Sequence, residues 1–192
     1  FVVDRFGARP VLLSAIGLFL LAALAASQAT GYGGLLLVVV LAGLGNAPFH
    51  PVDFTILNQR VSTPRLGYAF SVHGLTGNLG WAVAPAFFTL TQALWGWRHA
   101  FLAAAGVYAL VLAILVWHRA QLLTSSSADK SASPGRVASD LAFMRLPVVW
   151  WCFAFFLLST VTLAVVQNFS VPILKELHGV SLEVASLTLT AY

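Results

Sequence analysis

The feature that most constrains this chain is a series of long apolar stretches. Five of them are close to, or longer than, the roughly 20 helical residues that cross a bilayer. They cover approximately 10–27, 35–57, 67–92, 99–117 and 147–170. A sixth begins near Ser181, an N-cap residue followed by Glu183 in the first turn. The pattern predicts an all-α membrane protein, a polytopic bundle of transmembrane helices.

The composition excludes soluble and disordered classes of protein. Of the 192 residues, 59% are hydrophobic and 8% are charged, and the mean hydropathy is +0.89. A soluble domain has about 25% charged residues, and disordered segments are polar. The net charge of +4 is scattered over the connections, so nucleic acid is not expected as a partner. The single Cys152 excludes an internal disulfide and leaves no thiolate cluster for a metal.

Lysine and arginine alternate between the two sides of the predicted bundle. Eight of the ten lie in alternate connections: Arg5, Arg9, Arg60, Arg65, Arg119, Lys130, Arg136 and Arg145. The other connections have only Arg98 and Lys175. Because cytoplasmic loops are enriched in Lys and Arg, we expect residue 1 to lie in the cytoplasm. The longest connection, 118–146, is rich in serine and is predicted to be a cytoplasmic linker.

The predicted spans differ in polarity. Two of them, 10–27 and 99–117, have one interior polar residue each and are expected to be supports that face lipid. The other three contain several polar residues, which inside a bilayer normally face the bundle interior or a watery cavity. We therefore expect an aqueous pathway between the helices. The candidates for lining it are Asn46, His50, Asn78, Gln167 and Asn168.

The group of polar residues that most strongly indicates a function lies in the second span. Asn46, His50 and Asp53 follow the i, i+4, i+7 spacing that places them on one helix face. A carboxylate at the centre of a span costs about 2.5–3.5 kcal/mol on insertion scales, so it needs water, a partner or a proton. His50 lies one turn away, and His73 lies at a similar depth in the next span. These residues predict a proton-coupling site made of Asp53, His50 and His73. Alternatively, Asp53 caps polar groups near the helix end and His50 bonds locally.

Prolines and small residues interrupt the polar spans. Pro48 and Pro51 each remove a helix donor, so the second span should bend or break there. Such breaks commonly mark the moving or binding part of a transporter, although a passive kink is the alternative. Gly80 belongs to a row of small residues just before Pro85, which predicts close packing against another helix.

The first residues of the chain resemble a known signature. Asp4-Arg5-Phe6-Gly7-Ala8-Arg9-Pro10 is similar to the end of Gly-x-x-x-Asp-Arg-x-Gly-Arg-Arg, found between the second and third helices of the major facilitator superfamily. The resemblance implies that the spans are helices three to seven and the start of helix eight. Residues 1–117 would then end the first six-helix half, 118–146 would join the halves, and 147–192 would begin the second. Because the chain lacks an initial Met and ends within an apolar run, we expect a fragment.

Two further motifs resemble one branch of that superfamily, the fosmidomycin-resistance proteins. They are Phe49-His50-Pro51 in the second span and Gly77-Asn78-Leu79-Gly80 in the third. The resemblance implies a secondary active transporter that works by alternating access, with protons, a small-molecule substrate and the bilayer as partners. We correspondingly expect drug efflux by antiport and a location in the bacterial inner membrane.

The resemblance also implies a cytoplasmic gate and no cofactor. The gate would consist of Asp4, Arg5, Gly7 and Arg9. No cofactor and no resident metal are expected. Enzymatic activity is not expected either, since the sequence contains neither His-Glu-x-x-His nor Gly-x-Ser-x-Gly. Two other functions stay open: a membrane electron carrier whose haem is ligated by His50 and His73, and a receptor that keeps a transporter fold without transporting.

Overall fold

The computed structural model describes residues 2–124 and 142–191, apart from the side chains of Asp4, Ala142, Phe143 and Ala191. Every regular element in these ranges is helical, which confirms the predicted all-α class. The chain divides into two compact units, Phe1–Lys130 and Ser131–Tyr192. The boundary falls inside the predicted linker, of which residues 125–141 lie outside the described ranges.

The first unit contains six described α-helices. They are α1 (Val2–Phe6), α2 (Ala8–Gln28), α3 (Tyr32–Asn46), α4 (Phe49–Arg60), α5 (Leu66–Trp95) and α6 (Trp97–Trp117). Single turns of 3₁₀ helix cover Thr63–Arg65 and Arg119–Leu122. Gly7 and Gly96, at φ of 81° and 82°, make the sharp turns before α2 and between α5 and α6. Glycine suits both places because side-chain-bearing residues rarely adopt positive φ.

The second unit begins with a 3₁₀ turn at Ala142–Arg145, followed by α7 (Pro147–His178) and α8 (Leu182–Ala191). Gly179, at φ of 62°, ends α7 in the left-handed conformation common at helix C-termini. At the start of α8 the Ser181 hydroxyl accepts a hydrogen bond from the Val184 amide at 3.4 Å. This bond is the N-cap that the sequence predicts.

Four segments of the described chain are long and apolar enough to cross a membrane. They are Ala8–Gln28, Tyr32–Arg60, Trp97–Trp117 and Pro147–His178. The remaining long helix, α5, has 30 residues but is more polar than these four, because His73 and Asn78 interrupt its apolar residues. The chain is therefore an integral, multi-pass membrane protein.

Helix α2 is the best buried helix of the first unit, and it packs against α3, α4 and α6. Five of its nine buried residues are alanines, whose small side chains let neighbouring helices approach. The expectation that 10–27 is a lipid-facing support therefore does not hold for the face formed by these nine of its 21 residues. Its lack of polar residues reflects packing against other apolar helices, which composition alone does not distinguish from contact with lipid.

Among the described glycines, Gly45 of α3 has the closest neighbours on another helix. A Cβ atom there would lie 3.0 Å from the Ala15 carbonyl oxygen and 3.2 Å from the Leu18 Cβ of α2. The sequence predicts close packing at Gly80 instead, yet nothing in the described chain lies within 4 Å of a Cβ at that glycine. The prediction is not met among these residues, because no described helix covers that face of α5.

The predicted interruption of the second span lies at Ala47 and Pro48, between α3 and α4. Pro51 adds no second break, because it falls in the first turn of α4, where backbone amides have no acceptor within the helix. Pro85 lies inside α5, which continues through it. The second span is therefore two helices in series, and α4 begins with the Phe49-His50-Pro51 motif.

Candidate functional site

Helix α4 presents different residues to its two neighbours. Val52 is fully buried in an apolar cluster with Val11 and Leu12 of α2. The Phe49 ring reaches the Phe19 ring of α2, with 5.6 Å between their centroids. These contacts fix the rotation of α4 about its axis. Asp53, one residue beyond Val52, consequently points toward α5.

Asp53 and two histidines converge between α4 and α5. The Asp53 Oδ2 and His73 Nε2 atoms are 3.6 Å apart, and these two side chains are 21% and 35% exposed. His50 is exposed, and one ligand atom from each of the three residues lies within 4.8 Å of the others. The structure thus brings together the three residues that the sequence proposes for proton coupling.

An aromatic side chain lies beside both imidazoles. The Phe54 ring centroid is 5.7 Å from that of His50 and 6.3 Å from that of His73. Its other neighbour is the Phe70 ring of α5, at 5.2 Å and nearly perpendicular. Phe54 therefore gives the polar cluster an apolar wall. No role for Phe54 is predicted from the sequence, although its place one turn after His50 is a signal for one.

The cluster combines one negative group with two that can become positive. A carboxylate is neutralised by one protonated imidazole, and histidine changes charge near physiological pH. At 3.6 Å, Asp53 and His73 form an ion pair when His73 is protonated. The arrangement can therefore hold or release a proton, or hold a cation between a carboxylate oxygen and two ring nitrogens.

The remaining polar candidates are all exposed among the described residues. Asn46 is the last residue of α3, and Asn78 lies in the middle of α5. In the second unit, Asn168 donates a hydrogen bond to the Ala164 carbonyl of its own helix at 2.8 Å, and Gln167 precedes it. Each of these polar side chains lies on a helix surface whose neighbouring residues are mostly apolar.

The predicted gate residues lie at the junction of α1 and α2. Gly7 forms the turn, and its amide donates to the Val3 carbonyl at 2.7 Å. The Arg5 guanidinium lies 5.5 Å from the Phe6 ring centroid, and Arg9 is half-buried. The Asp4 side chain lies outside the described part of the structure.

The same end of the unit contains contacts that are not predicted from the sequence. The Ala8 amide donates to the Thr124 hydroxyl at 3.1 Å. The Arg60 guanidinium donates to the carbonyls of Leu123 at 2.5 Å and Ala120 at 3.3 Å. The segment after α6 is thereby attached to the ends of α2 and α4. No local pattern predicts these bonds, because their partners are far apart in sequence.

Comparison with known proteins shows the family to which the chain is related. The family model described as Major Facilitator Superfamily matches residues 1–192. Over 128 residues the chain is 32% identical to proteins called multidrug resistance protein B homolog from two strains of Mycobacterium tuberculosis, covering 66% of this chain and 24% of each relative. The chain thus spans about a quarter of the length of these relatives. No solved structure gives a significant match.

The long apolar helices with polar residues between them define a multi-pass membrane protein. More particularly, the chain belongs to the Major Facilitator Superfamily, as the signature at Asp4–Pro10 led us to expect.

Proposed function

We propose that this chain is part of a secondary active transporter that moves a small molecule by alternating access and is coupled to protons. The observation that carries the proposal is the approach of Asp53 to His73 across two helices, at 3.6 Å. An ionisable group inside a membrane helix is costly and is generally kept for a function. Membership of a transporter family supports the same conclusion.

In this proposal Asp53 takes up and releases the coupled proton. The break at Ala47 and Pro48 lets α4 shift relative to α3, as interrupted helices do in transporters. A shift of α4 changes the distance between Asp53 and His73, and with it the attraction that favours the ionised carboxylate. Helix movement and proton binding are thereby linked. His50, on the same helix as Asp53, is the second imidazole of the site.

The gate and pathway are assigned within the same proposal. Asp4, Arg5, Gly7 and Arg9 form the cytoplasmic gate, supported by the sharp turn at Gly7. The polar residues that line the pathway are Asn46, Asn78, Gln167 and Asn168. The distribution of Lys and Arg supports a cytoplasmic location for residue 1 and for the 118–146 linker. We place the protein in a bacterial inner membrane.

For the substrate we propose a drug-like molecule that is exported in exchange for protons. The relatives named multidrug resistance protein B homolog support efflux. The Phe49-His50-Pro51 and Gly77-Asn78-Leu79-Gly80 motifs support a position near the fosmidomycin-resistance branch. We propose that branch as the subgroup within the superfamily.

The haem-carrier alternative fits the cluster poorly. Two axial histidines must approach iron from opposite faces of a wide planar ring. Here a carboxylate oxygen lies within 4.8 Å of a nitrogen from each histidine, in the space such a ring would need. The receptor alternative predicts ligand binding without flux, which the following experiment detects.

The experiment is transport by the complete protein in proteoliposomes under an imposed pH gradient. We expect Asp53→Asn to abolish gradient-driven flux and to leave flux down a substrate gradient. The matched control is Glu176→Gln, which removes an exposed carboxylate near the end of α7. Full gradient-driven flux in Asp53→Asn refutes the coupling role, and binding without flux in the wild type refutes the transporter.

A further inference from the structure

We propose that His50, Asp53 and His73 form a binding site for a divalent transition-metal ion of the Zn²⁺ type, and that the bound ion holds α4 against α5. Two imidazole nitrogens and one carboxylate oxygen are a donor set that Zn²⁺ and Co²⁺ accept, with a further position left for water. Ca²⁺ and Mg²⁺ prefer oxygen ligands and are poorly suited to it. From the sequence no resident metal is expected, because Cys152 has no second cysteine near it.

The geometry is close to what a bound ion requires. Ligand atoms about 2.0–2.2 Å from a tetrahedral Zn²⁺ lie roughly 3.3–3.6 Å from each other. The Asp53–His73 pair already has this spacing, at 3.6 Å. The other separations are at most 4.8 Å, so the third ligand needs to move closer by at most roughly 1.5 Å. His50 can make this movement by a change of rotamer, because its side chain is exposed.

The surroundings also suit a metal site. The Phe54 ring lies against both imidazoles and limits their orientations, as the apolar groups around a metal site do. The partial exposure of Asp53 and His73 gives an ion a route to the ligands. Two ligands come from α4 and one from α5, so a bound ion links helices on which the proposed transport cycle depends.

The effect on transport follows, and this part rests on the proposed function. A metal ion on Asp53 occupies the oxygen that would take up the coupled proton. It also fixes the distance between Asp53 and His73, which must vary during the cycle. Zn²⁺ should therefore inhibit proton-driven transport.

Metal binding is tested directly on the untagged full chain in lipid nanodiscs. Co²⁺ added alone should give the visible absorption bands of a tetrahedral or five-coordinate site at one ion per chain, and Zn²⁺ should displace them. His73→Gln and His50→Gln should each weaken binding at least ~10-fold, since even outer-shell changes cost that much. His50 is exposed, so its variant tests the site without disturbing packing.

The matched control is His99→Gln. His99 is an exposed histidine at the start of α6, with Nδ1 2.7 Å from the Trp95 carbonyl oxygen, and it is outside the cluster. Its variant should bind Co²⁺ as the wild type does. Wild-type affinity in both His50→Gln and His73→Gln, or absence of the bands at millimolar Co²⁺, overturns the metal site.

The two proposals fail separately, because the titration needs neither substrate nor a pH gradient. Metal binding together with full proton-driven transport by Asp53→Asn, measured with a chelator present, rejects the coupling role and keeps the metal site. Asp53-dependent transport without metal binding rejects the metal site and keeps the coupling role.

Discussion

Asp53 of α4 and His73 of α5 face each other with 3.6 Å between Oδ2 and Nε2, although they belong to different helices. Their approach depends on apolar contacts elsewhere on α4. Val52 is buried against α2, and this directs Asp53 toward α5. A polar pair is thus positioned by core packing, and changes in that packing should affect the pair.

Phe54→Ala should disturb the cluster without removing any of its charged groups. The substitution removes the ring that contacts His50, His73 and Phe70. Since Phe54 is 44% exposed, we expect a loss of about 1–2 kcal/mol, less than the 3–5 kcal/mol for a buried phenylalanine. Proton-driven transport should fall more than facilitated flux does. Phe54→Leu, which keeps apolar volume, should retain most of both, and equal activity of the two variants would contradict a role for the ring.

Gly45→Ala should destabilise the contact between α2 and α3. The added Cβ would lie 3.0 Å from a backbone oxygen, and backbone cannot yield as a side-chain end can. Overpacking of this kind costs about 1–3 kcal/mol. Thermal unfolding in detergent measures the loss. Gly43→Ala is the control on the same helix, because its Cβ meets nothing within 4 Å among the described residues. Equal melting temperatures for the two variants would show that the close approach is absent.

Gly7→Ala should strain the turn that precedes α2. Gly7 has φ of 81° and ψ of 159°, a conformation available essentially to glycine alone, and forcing another residue into it costs about 1–3 kcal/mol. We expect a lower melting temperature and, if the turn belongs to the gate, slower turnover. Gly31→Ala provides the comparison, since Gly31 is extended at φ of −171° and accepts a side chain. A neutral Gly7→Ala would remove the structural support for the gate.

Arg60→Ala should release the segment that follows α6. It loses the hydrogen bonds to the carbonyls of Leu123 and Ala120, each contributing about 1 kcal/mol. Hydrogen–deuterium exchange should become faster in residues 119–124 and stay unchanged in α6. Arg65→Ala removes a neighbouring exposed arginine and should have no such effect. Unchanged exchange in both variants would mean that Arg60 does not hold the segment.

Much of the architecture follows from local patterns. Apolar length predicts the helices, and Pro48 predicts the break between α3 and α4. The convergence of His50 with Asp53 follows from helical spacing, and that of His73 from its matching depth in the next helix. These predictions succeed because each depends on one helix or on two neighbouring helices of known direction.

Other contacts depend on the rotation and spacing of packed helices. Gly45, rather than Gly80, marks the close approach, although both lie among small residues. The burial of α2 and the bonds of Arg60 depend on partners distant in sequence. A single sequence gives no information on which face of an apolar helix meets another helix, so these features required coordinates.

The most direct test of the central claim is proton movement driven by substrate. Complete protein is reconstituted with a pH-sensitive dye inside the vesicles, and a substrate gradient is applied without a pH gradient. We predict that the wild type and Glu176→Gln change the internal pH in proportion to flux, and that Asp53→Asn carries substrate with no pH change. Proton movement by Asp53→Asn at the wild-type ratio to substrate would contradict the assignment of Asp53 as the coupling residue.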